Sequence, residues 1–325
     1  MRTVPSWTFL VVSALAAPAA AEQSMTIVEP VQAPVEVDRT TTTQDIAFRI
    51  DRNDRMTVPV RLGGKGPYRF MVDTGADRTA VSTAIAADLK LTDGPTAMLH
   101  SITGTTSVRT ANIPRLELGT DRVRSVEAPL LEAANMGADG ILGVDSLRSQ
   151  RVMFDFKARV ISIVPSATRQ EPAGDDTVVV RGNLKRGHLI LTRATANGVP
   201  MTVILDTGSE VTMGNPALRA RLDARKRLGE GQLIEMTSVT GQKLTGEAFR
   251  LKTVKLGDVV MTDLVILFAD AAIFHSLDME DRPAVLLGMN AMRAFDKISI
   301  DFARKQLRMV VPQESSIDAT RMAAR

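Results

Sequence analysis

The chain has no cysteine in 325 residues, which excludes disulfide staples, a lipidated cysteine and thiol nucleophiles together. Aromatic residues are scarce at 4%, with one tryptophan, Trp7, and one tyrosine, Tyr68. No sign of charge dominates. The net charge is +3 with 24% charged residues, and acidic and basic side chains are interleaved throughout. No basic block has aromatics set between its residues, so no nucleic-acid partner is expected. The histidines His100, His188 and His275 lack ligand spacing, and no His-Glu-x-x-His, Gly-x-Ser-x-Gly or phosphate-loop pattern occurs. Metal and serine mechanisms therefore have no motif to rest on, and neither a metal nor a cofactor is expected.

Long hydrophobic runs are also missing. The first 21 residues read as a secretory leader: Arg2 is the positive start, Thr8 to Ala17 is apolar but too short to span a bilayer, and Ala19-Ala20-Ala21 gives a small-residue cleavage pattern. The expected product begins near Glu22 and carries no membrane span. Export without cysteine points to a bacterial periplasm.

What the chain does have is one phrase written twice. Phe70-Met71-Val72-Asp73-Thr74-Gly75 and Val203-Ile204-Leu205-Asp206-Thr207-Gly208 are each an apolar run ending in an Asp-Thr-Gly turn. Each run should bury as a strand and present one carboxylate at its end. Four further landmarks repeat in the same order. Asp45 to Asn53 matches Asp176 to Asn183, and Ser101-Ile102-Thr103-Gly104 matches Ser238-Val239-Thr240-Gly241. Gly140-Ile141-Leu142-Gly143 matches Val285-Leu286-Leu287-Gly288, with Arg148 and Arg293 each five places beyond the last glycine. Asp155-Phe156 matches Asp301-Phe302 at the close. The chain reads as a duplication.

Two carboxylates brought face to face across a pseudo-two-fold axis cannot both ionise cheaply, so such a pair holds one proton and acts as acid and base together. That chemistry suits peptide hydrolysis by an activated water. The paired Asp-Thr-Gly turns, glycine-tipped hairpins and apolar-apolar-Gly segments resemble the aspartic peptidases, with two lobes in one chain as in pepsin. Asp73-Thr-Gly-Ala-Asp77 is similar to the retroviral wording and Asp206-Thr-Gly-Ser209 to the pepsin wording. The resemblance covers roughly residues 45 to 312. It implies an all-β, bilobal double β-barrel with pseudo-two-fold symmetry and a few short helices.

The organisation expected is a leader over 1–21, an extended or disordered segment over 22–44, an N-terminal lobe over 45–165 and a linker over 166–175. A C-terminal lobe over 176–312 and a polar tail over 313–325 complete it. Helices are expected at Thr83–Leu89, Val144–Ser149, Pro216–Lys226 and Met289–Phe295. The resemblance makes Asp73 and Asp206 catalytic. Thr74 and Thr207 bond to the opposite lobe, and Gly75 and Gly208 let backbone amides approach the carboxylates. Thr103, Gly104, Thr240 and Gly241 are candidate tips of two substrate-binding flaps. The family's flap tyrosine has no counterpart, since Tyr68 lies on the strand leading to Asp73. Ser209 can donate to Asp206 whereas Ala76 offers Asp73 nothing, so the shared proton is expected on Asp73 and the working pH nearer neutrality than a symmetric pepsin-like site. Asp77 and Glu210 either bind substrate backbone or brace the lobe. The implied partner is a protein or peptide in extended conformation, cut by a monomer. A scaffold that holds peptides without cutting them is the competing reading, although a binder gains nothing from burying two like charges.

Overall fold

The computed structural model describes residues 56–118, 121–170 and 172–312, with the strand segments 6–8, 12–13, 28–29, 45–47 and 49–50. The Ala19-Ala20-Ala21 pattern, most of the segment 22–44 and the tail 313–325 lie outside the described residues.

The two halves close the same ring of six strands. In the first half the ring runs Met56–Leu62, Lys65–Val72, Gly140–Leu142, Ala80–Ser82, Asp121–Leu131 and Thr110–Leu118, the last pairing back to the first. In the second half it runs His188–Ala196, Val199–Leu205, Ala284–Leu287, Thr212–Gly214, Val259–Phe268 and Lys243–Leu256, again pairing back to its start. The fold is the all-β double barrel that the resemblance implies, with few and short helices.

Local chemistry explains the rings. The hairpins that feed the two Asp-Thr-Gly strands turn at Gly63-Gly64, φ +58° and +84°, and at Asn197-Gly198, φ +44° and +75°. A two-residue turn matching the strand twist needs φ > 0 at both positions, which glycine and asparagine tolerate. Along Met56–Leu62 the buried positions Val58, Val60 and Leu62 alternate with exposed Pro59 and Arg61, so one face packs inward. The strands Lys65–Val72 and Val199–Leu205 end instead in fully buried runs, where they pair in parallel with Gly140–Leu142 and Ala284–Leu287, themselves buried throughout.

The lobes are joined by a third sheet that the sequence pattern did not show. Its order is Thr177–Arg181, Gln306–Val310, Lys297–Asp301, Gln150–Asp155, Val160–Pro165 and Asp45–Ala47, three strands from each half. The central contact pairs Gln150–Asp155 with Lys297–Asp301 antiparallel, burying Val152 and Phe154 with Ile298 and Ile300. Two ion pairs cross the join, Lys297 to Asp155 at 2.7 Å and Lys157 to Asp296 at 2.5 Å.

The four expected helices form as Thr83–Asp88, Val144–Leu147, Pro216–Ala224 and Met289–Met292. Two more, Ala133–Met136 and Ala272–Ser276, were not expected; neither has a side-chain cap. Val28–Glu29 adds a short strand beside Val260–Met261. Among the described residues no helix is long and apolar enough to cross a membrane.

Candidate active site

Asp73 and Asp206 stand at the ends of the strands Lys65–Val72 and Val199–Leu205, and both are fully buried. The Asp73 amide donates to Leu142 O at 3.0 Å and the Asp206 amide to Leu287 O at 3.1 Å, so the apolar-apolar-Gly segments carry the two turns. A Cβ on Gly143 would stand 2.4 Å from the Arg78 backbone, and one on Gly288 would stand 2.6 Å from the Val211 backbone. Only glycine admits that approach.

The threonines lock the turns to each other. Thr74 Oγ1 donates to Leu205 O at 3.1 Å and accepts from the Thr207 amide at 3.1 Å. Thr207 Oγ1 donates to Val72 O at 2.8 Å and accepts from the Thr74 amide at 3.0 Å. Each hydroxyl thus satisfies one donor and one acceptor of the opposite half, all buried, where a lost partner is expensive.

This lock brings the carboxyl groups together. A Cβ on Gly75 would fall 2.6 Å from Asp206 Cγ, and one on Gly208 would fall 2.3 Å from Asp73 Cγ. Each acid therefore lies against the other turn's glycine. The Gly75 amide donates to Asp73 Oδ1 at 2.7 Å, whereas Asp206 Oδ1 accepts from the amides of Gly208 at 2.8 Å and Ser209 at 3.2 Å. Burial first, and the neighbouring Asp73 carboxylate second, push the Asp206 carboxyl well above the usual range, against the pull of these amides. A pair so placed keeps one proton where isolated carboxylates would have lost both.

The side chain of Ser209 does not do what the sequence implies. Its hydroxyl donates to Val211 O at 2.8 Å, and only its amide reaches Asp206. Ser209 therefore acts on Asp206 through its backbone amide. Glu210 braces its lobe through Arg293 at 2.9 Å. Asp77 faces the other lobe, with His188 Nε2 3.4 Å from its Oδ1. His188 is fully buried, and burial lowers its imidazole to about 4 despite that carboxylate.

A matched support beneath the turns was missed by sequence reasoning. Asp145 Oδ1 accepts from the amide and hydroxyl of Thr79 at 2.9 and 2.8 Å, and Thr79 Oγ1 accepts from the Gly143 amide at 3.2 Å. In the second half Asn290 Oδ1 accepts from the amide and hydroxyl of Thr212 at 2.8 and 2.7 Å, with the Gly288 amide 3.1 Å from Thr212 Oγ1. Aligning the repeats would have found it, since Thr79 and Thr212 follow their aspartates at the same spacing, as Asp145 and Asn290 follow their glycines.

The two hairpin tips that carry the four candidate flap residues touch each other through Thr103. The hairpin Ala97–Ser101 and Gly104–Val108 carries Ile102 and Thr103 at its tip; the strands Gln232–Ser238 and Lys243–Leu256 carry Val239, Thr240 and Gly241. Gly104 and Gly241 take φ +133° and +81°. Thr103 Oγ1 donates to Gln242 Oε1 at 2.7 Å and lies 3.2 Å from Ser238 Oγ. Thr240 Oγ1 stays within its own tip, 2.8 Å from Ser238 Oγ. The apolar tips cross over: Ile102 is buried among Met213, Phe274 and Leu286 of the second half, and Val239 among Met71, Met136 and Ile141 of the first. The Ala272 amide donates to Ile102 O at 3.0 Å, so the unexpected helix Ala272–Ser276 is a flap dock. Among the described residues no three His, Asp or Glu side chains gather as a metal would need.

No curated protein matches the sequence significantly. A profile described as Aspartyl protease matches residues 58–146 and 192–291, more than half of the chain and one Asp-Thr-Gly turn in each match. With the fold and the facing turns, this shows that the chain belongs to the aspartyl protease family.

Proposed function

We propose that the protein is an aspartic endopeptidase in which Asp73 and Asp206 share one proton and activate a water between them. The observation that carries the reading is the mutual burial of two carboxyl groups, each held against the glycine of the opposite turn. The ionised member of the pair takes a proton from the water, the oxygen attacks the scissile carbonyl, and its protonated partner gives its proton to the carbonyl oxygen. The amide nitrogen leaves after protonation, and no acyl-enzyme forms. An extended peptide lies between the flaps and the turns, held by its backbone, so many sequences are admitted. Both acids come from one chain, so a monomer suffices, and rate per mole should not vary with protein concentration. The leader reading of residues 1–21 makes exported, periplasm-exposed proteins the substrates.

The test uses a denatured protein as substrate. Asp73→Asn and Asp206→Asn should each lower cleavage by at least about a hundredfold, the lower end of what a positioned acid or base contributes. Binding of peptide by the wild-type chain without any cleavage would favour the silent scaffold instead.

A further inference from the structure

Beside each catalytic turn one peptide group bonds in two directions. In the first half the Leu142 carbonyl accepts from the Asp73 amide at 3.0 Å, and the Gly143 amide of the same peptide bond donates to Thr79 Oγ1 at 3.2 Å. The Thr79 hydroxyl in turn donates to Asp145 Oδ1 at 2.8 Å. In the second half the Leu287 carbonyl accepts from the Asp206 amide at 3.1 Å and the Gly288 amide donates to Thr212 Oγ1 at 3.1 Å. Thr212 Oγ1 then donates to Asn290 Oδ1 at 2.7 Å. A chain of hydrogen bonds thus links the backbone of each acid to a side chain at the matching place in its own half.

The two chains differ at their far ends, and the difference is charge. Asn290 is neutral and directs its Nδ2 to Val265 O at 2.8 Å. Asp145 is half-buried and draws three donors to one oxygen: the Thr79 hydroxyl, the Thr79 amide at 2.9 Å and the Ser146 amide at 2.8 Å. Ser146 Oγ also lies 2.7 Å from Thr79 Oγ1, where the second half has Ala291. The loops before the two threonines follow suit, with Arg78 in the first half and Val211 in the second. Arg78 is exposed and its charge acts on the Asp145 carboxyl. From the same loop Asp77 meets the Asp145 amide through its carbonyl, at 3.2 Å. On the strand Gln150–Asp155, against which the helix Val144–Leu147 packs, Arg151 reaches Thr168 O and Asp155 pairs with Lys297.

We propose that Asp145 is a positioning residue whose negative charge, relayed to the Asp73 turn through Thr79 and the Leu142–Gly143 peptide, makes the dyad keep its shared proton to higher pH. This rests on the aspartic-peptidase reading, since it concerns the same two acids. Hydrogen bonds to an ionised acceptor are roughly twice as strong as neutral ones, and each bond in such a chain polarises the next. A nearby anion also opposes the second ionisation of the pair. Burial raises the Asp145 carboxyl, against the pull of Thr79, Arg78 and Ser146. Its charge is therefore lost on acidification and present on the alkaline side of the profile, where the dyad gives up its last proton. The effect belongs to that limb.

Asp145→Asn removes the charge and keeps an accepting oxygen of the kind that Asn290 supplies in the second half. In chains carrying carbon-13 at aspartate Cγ, with the dyad signals assigned through Asp73→Asn and Asp206→Asn, NMR titration reads the last deprotonation directly. It should fall by about half a unit or more in Asp145→Asn, the scale of one partly screened charge. Arg78→Gln, at an exposed position that tolerates the change in fold, strips the opposing charge and should move the same step upward. No shift, or a shift of the opposite sign, in either folded variant overturns the proposal. On an uncharged quenched peptide the alkaline limb of kcat/KM should move with the titration; a fall of equal size at every pH with the limb in place marks a structural brace alone and also overturns it. If no peptide is cleaved while the titration still shifts, the peptidase reading falls and the role of Asp145 stands.

Discussion

Asp73 and Asp206 sit in the same Asp-Thr-Gly turn, but Ala76 follows the first turn where Ser209 follows the second. The Ser209 amide donates to Asp206, and its hydroxyl is committed to Val211 O. Ser209→Ala should therefore leave the acid limb of the pH–rate profile in place, whereas a hydroxyl donor would make its loss raise that limb by about a unit, the scale on which a hydrogen bond to the charged form moves a pKa. His188 gives a second prediction. Its imidazole falls from 6.5 to about 4 on folding through burial, so between those values the unfolded chain binds a proton that the folded chain refuses. Stability should drop as pH falls through that window and level off below it, by about 3 kcal/mol in total. The raised carboxyls of Asp145 and Asp206 act in the opposite sense. The difference between wild type and His188→Gln in urea midpoints at pH 7 and pH 4 isolates the imidazole, and a pH-independent difference would refute its role.

At the scale of elements, the flaps are anchored across the molecule rather than upon their own lobes. Burying an isoleucine is worth about 1.5–3 kcal/mol, so Ile102→Ala should raise exchange of the Gly104–Val108 amides by about ten- to a hundredfold. The urea midpoint should move far less than for a core truncation such as Phe154→Ala, which costs about 3–5 kcal/mol. Equal effects on exchange and midpoint would mean that the tip is ordinary core. The elements also show what was legible. The repeats announced the turns, the glycine strands and the flap tips, because glycine at a forced approach leaves a residue-level mark. Ala133–Met136 and Ala272–Ser276 left none, being short, uncapped and held by the flap that docks on them. The Thr79–Asp145 and Thr212–Asn290 pairs were written in the repeat, but threonine and asparagine are too common to be noticed one at a time.

For the whole molecule, the joining sheet matters most, and it was hidden because its pairings link residues far apart in sequence with no local signature. Three strands of each half share it, and Lys157–Asp296 and Lys297–Asp155 cross its centre. The halves should consequently unfold together, giving one calorimetric transition with equal calorimetric and van't Hoff enthalpies; two resolved transitions would show independent lobes. The same joining sheet and the Thr74–Thr207 lock fix the separation of the two acids, on which the proposed chemistry depends. The most direct test of that chemistry is hydrolysis of one peptide by wild type, Asp73→Asn and Asp206→Asn under identical conditions. Loss of at least about a hundredfold in both variants is the predicted result, and either variant retaining activity within tenfold of wild type would contradict a shared-proton dyad.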